Sequence, residues 1–269
     1  MASPLISVII PVFNAQHTLP AAIDSVFSQS IPDMEIILVN DGSRDDSLGI
    51  CEQYAQKDPR IKVIDQPNGG PSAARNAGLR VAGGRYISFM DSDDTLTPGA
   101  YPRMLNAVQC GGAEMVIGHF NFMVGKKALD RGRVKKDVVL NKDAFMGALA
   151  RKPASSYYAC VWNKLYSRGL VEENDIFFDN TITWGEDLHF NLLCYYHVKR
   201  VAFVKEPVYN YRLTLFGQAF RSFSKHPKHV VSVRILQYHT LKDLYVRTGH
   251  YRQYRAWITR FLLDTTISQ

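Results

Sequence analysis

Apolar and polar positions alternate along the first third of the chain in blocks of two kinds. Residues 6–13, ISVIIPVF, form a β-branched run of strand length that closes on Asn14. Leu19, Ile23, Val26 and Phe27 then recur at helical spacing, with Thr18 as the expected N-cap and Pro20 in the first turn. The alternation repeats. Residues 35–40, EIILVN, read as a second strand, and Leu48, Cys51, Tyr54 and Ala55 line one face of a second helix. Residues 61–65 are a short third strand, 72–79 a helix of small residues ended by Gly83-Gly84, and 86–90 a fourth strand. Strand and helix in this order predict a parallel sheet flanked by helices.

In such sheets ligands bind beyond the carboxyl ends of the strands, where helix N-termini also gather. The four strands are followed by Asn14-Ala15, by Asp41-Gly42-Ser43, by Asn68-Gly69-Gly70 and by Asp91-Ser92-Asp93-Asp94. Turn chemistry explains any one of these, but four on one edge point to a site. Carboxylates crowded at such an edge repel one another unless a cation lies between them, and all-oxygen ligands suit Mg²⁺ or Mn²⁺ rather than zinc. Mg²⁺ takes further ligands from substrate phosphates, so the cluster implies a phosphate-bearing substrate. The alternative is that Asp93 or Asp94 caps the turn that follows.

Composition narrows the class. A chain of 269 residues with 46% hydrophobic content buries a substantial core. Its apolar runs, such as Ile36-Ile37-Leu38-Val39, are far short of a membrane span. The start, MASPLISVII, has no positive n-region, so neither signal peptide nor anchor is expected, and the reading is a cytoplasmic protein. Cys51, Cys110, Cys160 and Cys194 are scattered without CxxC spacing, as reduced thiols would be. Of the +7 net charge, residues 221–269 supply all, with nine Lys or Arg against Asp243 and Asp264. That confinement disfavours nucleic acid as a partner.

The segments SVIIPVFNA, VNDGSRDDS, NGGPSAARNAG, FMDSDD and WGED, in this order, resemble the family 2 glycosyltransferases of the GT-A fold, which include enzymes of bacterial surface polysaccharide synthesis. The resemblance covers residues 5–215. It implies a Rossmann-like α/β fold with a mostly parallel central sheet, residues 1–98 forming the nucleotide-sugar-binding half and 99–215 the half with acceptor site and base. It further implies an inverting, metal-dependent transfer from a UDP-sugar to a hydroxyl of a glycan or lipid-linked acceptor.

By the same resemblance, Pro11, Val12 and Asn14 border the donor pocket and Asp41 contacts uracil, a role compatible with its Asp-Gly turn. Gly69 and Gly70 let backbone approach the nucleotide. Arg75 and Asn76 face base or sugar, with a surface salt bridge the alternative for Arg75. Asp91 and the neighbouring Ser92 lie toward the ribose, Asp91 sometimes reaching the metal, while Asp93 is the principal metal ligand; Asp94 either contacts the donor sugar or caps the turn. Asp187 is implied as general base and Glu186 as its support, where without the resemblance two acids in a first helical turn would only complement the helix dipole. Lys164, in a segment like the family's NKLY, is implied as a phosphate or acceptor contact, with an exposed lysine as alternative. Arg212, in a YxYR-like segment, is implied at the diphosphate, although LTLFGQAFRS departs from the serine-rich continuation expected there. Trp184 and Tyr157-Tyr158 suit either an acceptor-stacking wall or the core.

The 216–269 extension reads as two amphipathic helices, with Val231, Ile235, Tyr238, Leu241, Leu244 and Tyr245 on one face of the first and Tyr254, Trp257, Ile258 and Phe261 on the second. Arg252, Arg255 and Arg260 beside Trp257 suit peripheral contact of 221–262 with an anionic membrane at the inner face of the plasma membrane. Packing on the catalytic domain, or on a second subunit in a homodimer, is the alternative. The chain stops at Ile267-Ser268-Gln269 soon after an apolar run, as a truncated longer protein would. Two rival functions are a sugar nucleotidyltransferase, for which residues 11–20 lack the glycine-rich triphosphate loop, and a non-catalytic nucleotide-binding module, against which Asp187 speaks.

Overall fold

The computed structural model describes residues 3–213, except Lys126, and 227–263. Arg221, Lys225, most of the LTLFGQAFRS segment and the final Ile267-Ser268-Gln269 lie outside the described residues.

The expected alternation is present: β1 (Ile6–Val12), α1 (Leu19–Phe27), β2 (Met34–Asp41), α2 (Ser47–Lys57), β3 (Ile61–Gln66), α3 (Gly70–Val81) and β4 (Tyr86–Phe89). The strands pair in the order β3-β2-β1-β4, all parallel, with Ile10 opposite Leu38 and Val8 opposite Ser88. β2 is buried at every position, as a strand covered on both faces must be. Helix α3 lies close on β1: a Cβ on Gly78 would stand 2.4 Å from Ile9 Cγ2, so glycine sets that approach. Thr18 stands at the N-cap of α1, but its hydroxyl donates back to the Ala15 carbonyl instead of capping the helix.

After β5 (Thr95–Leu96) and α4 (Ala100–Gly111) the sheet continues through β6 (Met115–Val124), the hairpin strand β7 (Lys127–Arg131) and β8 (Val138–Asn141). Then come α5 (Lys142–Ala150), α6 (Ser156–Ala159), β9 (Lys164–Ser167), α7 (Arg168–Glu172), α8 (Glu186–His197) and β10 (Arg200–Arg212). β9 enters antiparallel between β4 and β6, and β10 runs parallel to β6. One continuous sheet therefore passes through residues 1–98 and 99–215 alike.

Two final helices, α9 (Pro227–Arg247) and α10 (Tyr251–Leu263), pack on this body, α9 against α8 and α10 against α9 and α5. The inward face of α9 corrects the sequence expectation: Val230, Val233, Gln237, Leu241, Leu244 and Tyr245 are buried, while Val231 and Ile235 are exposed. In α10, Ile258 and Phe261 are buried and Trp257 turns outward. The Tyr245 hydroxyl donates to the Met146 carbonyl at 2.6 Å and Gln237 Nε2 to the Gly185 carbonyl at 2.8 Å. Of the described residues, no helix is long and apolar enough to cross a membrane.

Candidate active site

Parallel pairing brings the carboxyl ends of β1, β2, β3, β4 and β10 to one edge. The loops there are laced together. Asn14, at a left-handed φ of 50°, donates its N–H to Ser43 Oγ at 3.1 Å and accepts the Arg44 N–H at 2.8 Å. Pro11 is half-buried, whereas the Val12 side chain is fully buried, so only its backbone can meet a ligand. Asp41, also buried, spends its carboxylate on the turn that opens α3: Oδ1 accepts from Gln66 Nε2 at 2.7 Å and Gly69 N at 2.9 Å, and Oδ2 from Gly70 N at 2.8 Å. Gly70 has a φ of +85° and open space where a Cβ would stand.

Asn76 departs from the expectation of a base or sugar contact. Its amide is consumed by the backbone of Phe178, at 2.8 and 2.9 Å, and by Asn180 Oδ1 at 3.2 Å, which ties α3 to the loop before α8. Arg75, one position earlier, is no surface salt bridge either. Only 4% exposed, it donates from Nη2 to Asp91 Oδ1 at 3.0 Å, and from Nη1 to Asp187 Oδ1 at 3.0 Å and Glu186 Oε1 at 3.3 Å. Phe178 lies beneath the guanidinium, 5.3 Å from ring centroid to Cζ. A single side chain thus joins the turn after β4 to the first turn of α8.

The turn after β4 carries Asp91, Ser92, Asp93 and Asp94. The Asp91 N–H donates to the Tyr209 hydroxyl at 3.1 Å. Asp93 is reached by water at the mouth of the site, yet protein surrounds it enough that desolvation, reinforced by Asp91, raises its pKa. Asp94 lies inside: burial, with Asp91 and Asp93 adding to it, pushes its carboxyl up to about 8, and Oδ1 accepts the Arg212 N–H at 2.7 Å. That bond makes Asp94, beside the Asp91–Tyr209 contact, a second tie between the DSDD turn and the end of β10. Asp93, Asp94, Met123, Asn210 and Arg212 border a cavity of about 390 Å³.

Asp187 is the second residue of α8, whose N-cap Gly185 sits at a left-handed φ of 77°. Burial drives its carboxyl up to about 7; Arg75 opposes the shift, Glu186 and Asp91 add to it, and the Val161 N–H, 3.3 Å from Oδ2, again opposes it. Lys164 is neither an exposed lysine nor open to a phosphate. Fully buried, its ammonium donates to the Tyr157 carbonyl at 3.1 Å, to Asn163 Oδ1 at 2.9 Å and to the Cys160 carbonyl. Tyr157 and Tyr158 are likewise core residues, packed on Phe203 and Phe145, while Trp184 is 9% exposed beneath Arg234. Sequence reasoning missed Asn191, whose amide donates to the carbonyls of Ala159 at 2.7 Å, Cys160 at 3.3 Å and Asp187 at 2.9 Å. Its signal was its place one helical turn after Asp187, on the same face.

A divalent cation fits the donor set at Asp91 and Asp93. The two carboxylates are separated by Ser92 alone, Asp91 raises the pKa of Asp93, and Arg75 engages only Oδ1 of Asp91. Among the described residues no three His, Cys, Asp or Glu side chains converge as a metal cage. Such a pair suits a cation that takes its remaining ligands from phosphate and water.

Residues 7–174 match the sequence model of a family described as Glycosyl transferase family 2. Similar proteins include an uncharacterized glycosyltransferase EpsJ of Bacillus subtilis, 36% identical over 210 residues, which make up 78% of this chain and 61% of that protein. Cholesterol galactosyltransferase of Borreliella burgdorferi is 30% identical over 267 residues, 96% of this chain and 72% of that protein. The chain thus spans about 61% of the length of EpsJ and 72% of the galactosyltransferase. Among solved structures, Staphylococcus aureus TarS 1–349 in complex with UDP-GlcNAc superposes with a TM-score of 0.82 at 22% identity, covering 97% of this chain and 73% of that one. At that identity the likeness is one of fold.

Proposed function

Because the chain belongs to glycosyl transferase family 2, we propose that it moves a sugar from a UDP-sugar to a hydroxyl of a glycan or lipid-linked acceptor, inverting the anomeric carbon, in polysaccharide or glycoconjugate synthesis. The observation that carries this reading is the Arg75 bridge. It sets the turn suited to a diphosphate and the carboxylate suited to an acceptor hydroxyl within reach of one guanidinium, although Arg75 and Asp187 are 112 residues apart in sequence.

The donor nucleotide lies along the β1, β2 and β3 ends, over Pro11, Asn14 and the Gly69-Gly70 turn that Asp41 braces. Its diphosphate comes to the Asp91-Ser92-Asp93 turn, with Arg212 alongside. Asp91 and Asp93 would hold Mn²⁺ or Mg²⁺, which when bound offsets charge developing on the departing diphosphate. Asp187 accepts the proton of the acceptor hydroxyl as its oxygen attacks the anomeric carbon, and the bond from that carbon to the UDP oxygen breaks on the opposite face. A raised pKa makes Asp187 a stronger base than an exposed carboxylate, while Arg75 and the Val161 N–H fix its orientation. Glu186 steadies Arg75 from the same helical turn.

The outward Arg252, Arg255, Arg260 and Trp257 of α10 support peripheral contact with an anionic membrane surface, where a lipid-linked acceptor would be met. The inward residues of α9 and α10 are meanwhile occupied by α8 and α5.

A donor screen tests the central reading. UDP release from one of a panel of UDP-sugars, dependent on a divalent cation and an acceptor, supports it. Asp187→Asn should keep UDP binding and lose transfer. Release of pyrophosphate from UTP and a sugar phosphate, with no UDP from any sugar donor, would sink it.

A further inference from the structure

We infer that Lys164 is a positioning residue for the base: with Asn191 it pins the carbonyl of the Cys160–Val161 peptide, and that peptide's own N–H is thereby aimed at Asp187 Oδ2. The inference rests on the reading of Asp187 as general base. Its geometry is complete. The Cys160 carbonyl accepts from Lys164 Nζ and from Asn191 Nδ2 at 3.3 Å, and on the other side of the same planar unit the Val161 N–H meets Asp187 Oδ2 at 3.3 Å. A trans peptide is rigid and directs its C=O and N–H oppositely, so holding the first fixes the second.

A fully buried ammonium is costly, and a methionine or leucine would fill the same volume without that cost. Among the described residues its hydrogen-bond partners include no carboxylate. Its three acceptors, the Tyr157 and Cys160 carbonyls and Asn163 Oδ1, match the three protons of an ammonium, although burial draws its pKa down to about 7. Positive charge at the carbonyl end of a peptide polarises the unit and strengthens its N–H as a donor. The line from Lys164 through one peptide to Asp187 therefore both orients the carboxylate and steadies its ionised form. Asn191 completes the frame, linking the Cys160 turn to the Asp187 carbonyl while the Tyr166 hydroxyl donates to its Oδ1 at 2.8 Å.

The test is a cycle between Lys164→Met and a backbone ester at Val161, made with 2-hydroxyisovaleric acid in place of valine, which deletes the N–H and weakens the Cys160 carbonyl as an acceptor, so that it acts on the same peptide from both ends. Turnover is counted per UDP-binding molecule. Each change alone should lower kcat about tenfold with donor KM within about twofold, as a small misplacement of a reacting group does. Together they should lower it by about tenfold in all, not a hundredfold, because both cut one line. Lys164→Gln, which keeps two donors, should fall between wild type and Lys164→Met, and it replaces Lys164→Met in the cycle if that variant does not fold. Wild-type kcat in the ester, or additive losses in the cycle, would overturn the inference. Failure of the base reading is a separate result, seen as transfer retained by Asp187→Asn.

Discussion

Arg75 Nη1 donates to Asp187 Oδ1 at 3.0 Å, and the same guanidinium reaches Asp91 Oδ1 at 3.0 Å from its other terminal nitrogen. One buried cation is shared by the two ends of the site, so its removal leaves three acids with uncompensated charge. Arg75→Met should cost about 3–5 kcal/mol, the usual result of breaking a buried ion pair from one side. Arg75→Lys should recover only part of that, since a point charge cannot span carboxylates as a planar fork does. Urea denaturation at neutral pH measures both.

With Asp187 as the proposed base, the acid side of the activity profile should follow its titration. Its carboxyl is pushed up to about 7 by burial, against Arg75, and the base must be ionised to accept a proton. Activity is therefore full above that value and lost as pH falls through it. The acceptor kcat/KM should decline about tenfold per pH unit below about 7. In a folded Arg75→Lys variant, with a weaker opposing charge contact, the limb should move to higher pH. A pH series with saturating donor checks this.

Removal of divalent cations with a chelator should abolish UDP-dependent thermal stabilisation, and Mn²⁺ or Mg²⁺ should restore it. In Asp93→Asn the metal concentration needed for that restoration should rise by more than about tenfold, because even residues one shell further out cost that much at metal sites. Calorimetric titration of UDP with and without the cation gives the comparison.

Glu35 provides a test of the fold alone, at the opposite end of the sheet. Its Oε1 accepts from Ser7 Oγ and Gly83 N, both at 2.6 Å, and Oε2 pairs with Lys62 at 2.7 Å. Burial raises the pKa, but Lys62, Ser7 and the Gly83 N–H together outweigh it and hold the group below the ordinary 4.5. A depressed carboxyl contributes stability that is present above the unfolded value and lost as pH falls through the folded one. Glu35→Gln should cost about 1–3 kcal/mol at pH 7, with the deficit shrinking below pH 4.5 and turnover per folded molecule unchanged. Thermal unfolding at a series of pH values decides it.

Strands β1, β2 and β4 and the edge carrying Asp41, Gly70 and Asp91 were legible because a strand covered on both faces leaves an apolar run with a polar end. The antiparallel entry of β9 was not: KLYS is four residues long, and its partners lie far away in sequence. The face of α9 was misread for a different reason. Val231, Ile235, Leu236 and Val246 are apolar and exposed, so two faces of that helix carry a hydrophobic stripe and spacing alone selects neither. At the site, residue types were informative and partners were not. The carboxylates announced themselves by crowding, whereas Lys164 and Asn76 look like ligand contacts until the backbone groups they hold are seen.

The position of β9 has a consequence for engineering. Contributed by the second half of the chain, it closes the edge of β4, the strand that delivers the Asp91 turn, and hydrogen-bonds β6 on its other side. Cleaving the chain at residue 98 would strip that edge from one fragment and orphan β9 in the other. The two halves therefore do not separate as interchangeable cassettes, and grafts into this scaffold are better made through the loops along the strand ends.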